Sequence, residues 1–218
     1  QLPGITYAHE FYPIHFLRRS QALPYFLADH FYVFYCLARD VILKEIRDNQ
    51  SVIIIGETGS GKTTQIAQYL YEEFGTEKGG IAITQPRRLA AKSTASRVAE
   101  EIGCELGDLV GYNVRFDNKT NEHTRLKFLT DGMLLRECMV DRDLKAYSYV
   151  LIDEAHERSI NSDLLCALVR QIQERRKDFK VIIMSATLEA DLFEKYFNAK
   201  VLYVQGRQYP VEVLYTNV

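Results

Sequence analysis

Apolar positions along this chain fall into short runs separated by stretches with helical spacing. The runs Val52–Ile55, Gly80–Thr84, Leu126–Leu129, Tyr149–Ile152, Val181–Met184 and Val201–Val204 read as strands. The stretches Val41–Asp48, Lys62–Glu73, Leu89–Ile102, Gly132–Cys138, Ile160–Arg176 and Glu189–Tyr196 read as helices. These strands are apolar on both sides, so each must be covered twice. Regular alternation with helices therefore predicts an α/β fold, a mostly parallel sheet with helices on both faces. Ligands of such sheets bind at the carboxyl ends of the strands, and every polar cluster described below follows one. Leu109–Phe116 reads as a further edge strand, and Val211–Tyr215 is strand-like. There is no repeat and no low-complexity segment, and the chain reads as a piece of a longer protein.

Composition narrows the class without naming it. The 218 residues suffice for one sizeable core behind an N-terminal extension. Lys and Arg number 27 against 29 Asp and Glu, a net charge of −2, so any polyanion must be met by local placement of cations. Phe31–Ala38 is the longest apolar run, too short for a bilayer, and no signal peptide is present, so no membrane partner is expected. Cys36, Cys104, Cys138 and Cys166 are scattered, which argues against structural zinc and suits a reducing, intracellular compartment.

The chemistry begins after the first strand. Gly56 to Thr63 read G-E-T-G-S-G-K-T between a β-run and a helix. Gly56, Gly59 and Gly61 are expected to turn the backbone through positive φ, aiming successive N–H groups at one anion. Lys62 would reach the β- and γ-phosphates, the Thr63 hydroxyl would hold Mg²⁺, and the helix start adds its positive dipole end. The candidate cradle is Gly56, Glu57, Thr58, Gly59, Ser60, Gly61, Lys62, Thr63 and Thr64. The pattern implies binding of a nucleoside triphosphate.

A second cluster, Asp153-Glu-Ala-His156, ends the strand Tyr149–Ile152. Asp153 is placed as the second Mg²⁺ partner beside Thr63, and Glu154 as general base for the attacking water. His156 would sense the γ-phosphate or contact a neighbouring domain. Ser185-Ala-Thr187 offers two hydroxyls to the acidic loop, or a helix N-cap. Thr84-Gln-Pro-Arg-Arg88 and Thr130-Asp-Gly-Met133 pair strand ends with helix starts, which suits sequence-tolerant contacts to a sugar–phosphate backbone. In isolation the first reads better as a solvated basic turn and the second as an Asp-Gly turn.

Taken together and in this order, the phosphate loop, T-Q-P-R-R, T-D-G, D-E-A-H and S-A-T resemble the first RecA-like domain of the DEAH/RHA group of superfamily 2 RNA helicases. The likeness runs from about Val41 to Thr216. Gly111-Tyr-Asn-Val-Arg-Phe116, Lys127–Glu137, Asp153–Arg158 and Gly206-Arg-Gln-Tyr-Pro210 sharpen it toward a nucleolar member linked to ribosome production, with splicing members close behind. The resemblance implies a three-layer P-loop NTPase domain over residues 39–218, an extension over 1–38, ATP with ADP as product, and Mg²⁺. It implies a catalytic set of Glu154, Asp153, Lys62 and His156, and Arg97 stacked on the base. RNA backbone would touch Thr84, Arg87, Arg88, Thr130 and Asp131, while Ser185 and Thr187 would couple hydrolysis to strand movement.

It also implies partners: RNA, a second RecA-like domain that supplies arginine fingers, C-terminal modules, and a glycine-rich activator docked on those modules. Without the fingers, worth about 10³–10⁵ in rate, this chain alone is expected to bind nucleotide and turn it over very slowly. Nuclear, nucleolar or cytoplasmic placement follows from the resemblance alone. An RNA-sensing scaffold with a dispensable ATPase, or a DNA-directed superfamily 2 motor, are the alternatives. One departure stands out. Between Leu23-Pro24 and the helix near Arg39 lies an extra aromatic stretch, Asp29–Ala38, either translated intron or a lineage insertion. Phe31, Phe34 and Tyr35 have helical spacing, so it is either a packed helix or an exposed, disordered patch.

Overall fold

The computed structural model describes residues 29–75, 79–187 and 191–204, with side chains from Ala38 onward. The contacts expected of Phe31, Tyr32, Phe34 and Tyr35, the start of the last helix at Glu189, the run Gly206–Pro210 and the strand-like Val211–Tyr215 lie outside the described residues.

Helix α1 (Asp29–Asp48) leads into β1 (Ser51–Ile55), α2 (Lys62–Phe74), β2 (Gly80–Gln85) and α3 (Arg88–Ile102). Then come β3 (Val110–Val114), β4 (Asp117–Lys119), β5 (Leu126–Thr130) and α4 (Asp131–Val140). The last part holds β6 (Tyr147–Ile152), a 3-10 turn (Ala155–Glu157), α5 (Ile160–Arg175), β7 (Lys180–Ser185), α6 (Asp191–Phe197) and β8 (Lys200–Tyr203). The strands form one sheet in the order β4-β3-β5-β2-β6-β7-β1-β8. All described pairings are parallel except β3 with β4.

Alternation within the strands explains the three layers. Val52, Ile54, Ile81 and Ile83 face α1, α2 and α3, packing on Ile42, Ile66 and Val98. Ile53, Ile55, Val150 and Ile152 point the other way, into Leu134, Val169 and Phe197 from α4, α5 and α6. Phe128 and Phe179 are fully buried, each on one side of the sheet. The expected parallel sheet with helices on both faces is what forms. Among the described residues, no helix is long and apolar enough to cross a membrane. Burial pushes the thiol of Cys138 up to about 11 and that of Cys166 up to about 12, so both are small apolar core groups at neutral pH.

Two departures from the sequence reading have physical causes. The helix expected to begin at Val41 starts at Asp29, so the aromatic stretch continues α1 without a break. The strand expected at the edge is second from it, because the polar Asp117-Asn-Lys119 pairs antiparallel to β3 across a two-residue turn. No apolar alternation announces β4; it is held by backbone pairing and by Asp117, which accepts from Lys92 Nζ at 2.7 Å and from the Tyr112 hydroxyl at 3.3 Å. Close approach at Gly111 is part of that pairing: a Cβ there would run into the Lys119 carbonyl and come within 2.9 Å of Thr120 Cγ2. Gly111→Ala is therefore expected to destabilise the domain by about 1–3 kcal/mol, read as a lower denaturation midpoint with an unchanged slope.

Candidate active site

The carboxyl ends of β2, β6, β7 and β1 lie side by side, and the segments that leave them carry most of the candidate site residues. From β1 the chain enters the phosphate loop. Gly59 and Gly61 take φ of 79° and 86°, values that disfavour any side chain with a Cβ. Gly56 does not: it extends the strand, its N–H donating to Ser185 O at 3.0 Å, so the expected positive φ there is corrected. Ser60 closes the loop through Oγ to Glu57 O at 2.6 Å, and Thr64 Oγ1 donates to Gly61 O at 3.1 Å. Glu57, Thr58 and Gly59 are exposed, and a Cβ built on Gly59 would meet nothing within 4 Å. The loop is thus held from beneath and open above.

Lys62 is buried, and its ammonium donates to the carbonyls of Gly56 at 2.6 Å and Glu57 at 2.8 Å. Burial lowers its pKa, opposed by the nearby charges of Asp153, Glu154 and Glu57. A desolvated ammonium under an open loop of N–H groups is a fitting seat for phosphate oxygens, which would take the place of those carbonyls.

Asp153 is buried at the end of β6 and accepts from three donors. The Thr63 hydroxyl and Gln85 Nε2, at 2.5 Å, share Oδ2, and the Glu154 N–H reaches Oδ1 at 2.9 Å. Thr63 and Asp153, the two expected Mg²⁺ partners, are in direct contact. Gln85 was not singled out in the sequence. The only signal for it is its place at the end of β2, next to β6, which needs the strand order. Glu154 is half-buried with φ of 50°, and its pKa is raised by burial first and by the charge of Asp153 second.

His156 bridges two of the predicted segments. Its Nδ1 accepts from the Ala186 N–H at 3.2 Å, which leaves Nε2 as the ring donor, 3.4 Å from Glu154 Oε2. The link between the acidic loop and Ser185-Ala-Thr187 therefore runs through backbone and imidazole, not through the two hydroxyls as expected. Ser185 Oγ instead accepts from Thr187 N at 3.2 Å and donates to Thr187 O at 3.3 Å, closing a local turn. The N-cap alternative falls where the chain enters α6 (Asp191–Phe197), outside the described residues.

The candidate RNA residues divide by exposure. Arg87 and Arg88 stand exposed at the start of α3, and Thr130 is half-buried before α4. Thr84 and Asp131 are buried, with exposures of 0% and 2%, so a direct backbone contact from either side chain is not met in this conformation. A further residue pair, not singled out as a site in the sequence, is exposed at the tip of the β3–β4 turn: Arg115 lies 4.8 Å over the ring of Phe116. Arg97 projects from α3 beside α2, with Nε on Glu101 Oε1 at 2.7 Å. Glu101 also accepts from Gln65 and Gln68 of α2, at 3.0 and 2.6 Å.

Thr84 Oγ1 and Asp131 Oδ1 have no hydrogen-bond partner in the described structure. The hydroxyl is near enough to offset part of the shift at Asp131, but burial dominates and raises its carboxyl above the ordinary range. The associated stability is therefore complete below the ordinary carboxylate range and is lost as pH rises through the raised value. Asp131→Asn is expected to raise the melting temperature at neutral pH by about 2–4 °C, what about 1 kcal/mol gives in a domain of this size. The gain should vanish in acid, where both side chains are neutral; melting curves at several pH values check it.

Comparison with known proteins agrees with this geometry. Residues 38–194 match the DEAD/DEAH box helicase family. Over 185 residues the chain is 57% identical to the ATP-dependent RNA helicase DHX33 of Homo sapiens, covering 82% of this chain and 26% of that protein. The protein of the same name from Mus musculus is 56% identical over the same shares. The chain thus spans about a quarter of the length of these curated relatives. Matched across most of its length, with the phosphate loop and the acidic turn joined at the carboxyl ends of the strands, the chain belongs to the DEAD/DEAH box helicase family.

Proposed function

We propose that this chain is the nucleotide-binding half of an ATP-driven motor that moves on or remodels RNA. The observation that carries the reading is the contact of Thr63 with Asp153 beside the buried Lys62, which supports a site for Mg²⁺ and a triphosphate. The names of the relatives supply ATP and RNA as the substrate classes.

In this reading Lys62 exchanges its two loop carbonyls for phosphate oxygens, and the N–H groups of the loop orient the rest of the triphosphate. Mg²⁺, when bound by Thr63 and Asp153, neutralises charge on the phosphates. Gln85 holds the Asp153 carboxylate in place. Glu154 takes a proton from the attacking water, and its raised pKa makes it a stronger base than an exposed carboxylate. His156 orients Glu154 and relays its position to Ala186. Arg97 serves as the platform for the base. RNA backbone lies along Arg87, Arg88 and Thr130, with Phe116 as a stacking face at one end and Thr84 and Asp131 shaping the floor. Ser185 and Thr187 pass nucleotide state onward.

Division at residue 38, a second RecA-like domain, C-terminal modules with a glycine-rich activator, and nucleolar work in ribosome production belong to the same proposal. Hydrolysis of Mg²⁺-ATP by the full-length protein, with single-stranded RNA or DNA of one sequence, tests it. Stimulation by RNA well above that by DNA is expected. Equal stimulation by both would point to a general nucleic-acid motor.

A further inference from the structure

Arg87, at the N-cap of α3, has a side chain 75% exposed, and its Nη2 donates to Glu157 Oε1 at 3.1 Å. Glu157 is the last residue of the 3-10 turn that carries His156 and follows Glu154. On both sides of that turn stand non-glycine residues in the left-handed region, Glu154 at φ 50° and Arg158 at φ 49°. Such backbone persists only where its surroundings hold it. Three side-chain attachments do so: Glu157 on Arg87, His156 under the Ala186 N–H, and the forked pair of Arg158 with Asp163 at 2.9 and 3.0 Å.

We propose that Glu157 is a positioning residue whose carboxylate occupies the Arg87 guanidinium that a phosphate of RNA would take. The inference rests on the RNA reading above. A carboxylate and a phosphate compete for the same planar donor fork, so seating the phosphate displaces Glu157. An exposed ion pair is weak enough to be exchanged in this way, whereas a buried one would resist. Once displaced, Glu157 no longer ties down one end of the turn, and its negative charge, which acts on both Glu154 and Asp131, moves with it. RNA binding and release of the catalytic turn are then a single event, and the strained backbone at Glu154 and Arg158 supplies the hinges.

The test is a cycle of Glu157→Ala, Arg87→Ala and the double variant in the full-length protein. Mg²⁺-ATP hydrolysis is measured against a titration of a single-stranded uridine homopolymer. Glu157→Ala should raise RNA-free turnover, lower the ratio of stimulated to RNA-free rate, and reduce the half-saturating RNA concentration by up to about fivefold. Arg87→Ala should likewise raise RNA-free turnover but weaken RNA binding, and adding Glu157→Ala to it should change neither quantity. An RNA-responsive wild type whose Glu157→Ala variant matches it overturns the exchange and leaves the RNA reading standing. So does a Glu157→Ala effect of the same size in both backgrounds. A wild type that hydrolyses ATP with no response to RNA overturns the RNA reading and this inference with it. Both side chains are surface groups outside the hydrophobic clusters, so the variants should fold.

Discussion

Glu154→Gln in the full-length protein is expected to lower turnover by about 10²–10⁴-fold, the usual worth of a positioned general base, while nucleotide binding survives. The carboxamide keeps the shape of the side chain and can still meet His156 Nε2, now 3.4 Å from the carboxylate. It cannot accept the proton of an attacking water. It also removes a negative charge beside Asp153, one of the causes of the raised Glu154 pKa, so affinity for the triphosphate should hold or improve. The pH profile adds a check independent of magnitude. Only the ionised carboxylate acts as a base, so kcat/KM of the wild type should fall as pH drops through a value above the ordinary Glu range. That acid limb should be missing from the variant. An unchanged acid limb would assign it to another group.

Lys62→Met is expected to erase the stabilisation by nucleotide and to leave the nucleotide-free protein almost as stable as the wild type. A hundredfold excess of ligand over its Kd adds about 2.7 kcal/mol to the wild type. That is about 5–10 °C of melting temperature in a domain of this size. In the variant the ammonium that would meet the phosphates is gone, and with it that shift. The free protein loses little because Lys62 is costly to bury, as its lowered pKa records, which offsets release of the buried Gly56 carbonyl, while the Glu57 carbonyl lies on the exposed part of the loop. Loss of several degrees in the free variant would instead make Lys62 a structural strut.

The strand–loop–helix unit was legible because three periodicities meet there: an apolar run over Val52–Ile55, glycines at 59 and 61, and a helix opened by Lys62-Thr63. The sheet's parallel order was legible in class but not in sequence of strands. That is why Gln85 was missed: it reaches Asp153 only because β2 and β6 are neighbours, which no local pattern encodes. β4 was invisible because a three-residue polar edge strand has no side to bury. Gly56 misled in the other direction, since a glycine allows positive φ without requiring it. The acidic turn shows the limit most clearly. The letters of Asp153-Glu-Ala-His156 suggest Mg²⁺ and a base, yet the left-handed backbone at Glu154 and the bond from Ala186 to His156 depend on how β6 and β7 pack.

The same packing explains why two of the residues expected to touch RNA lie inside. Thr84 is the penultimate residue of a central strand and Asp131 opens α4, and both are covered. Arg87 and Arg88, two and three positions past the strand end, have turned outward. Position relative to a strand end, rather than residue type, decides which member of such a segment meets a ligand.

Calorimetric titration of this chain with Mg²⁺-ADP tests the central claim most directly, that the loop beneath Gly59, the buried Lys62 and the joined Thr63 and Asp153 form a nucleotide site. Saturable binding near one nucleotide per chain, lost in Lys62→Met, is the predicted result. A folded chain that takes up no Mg²⁺-ADP, or one whose binding is indifferent to Lys62, would contradict it.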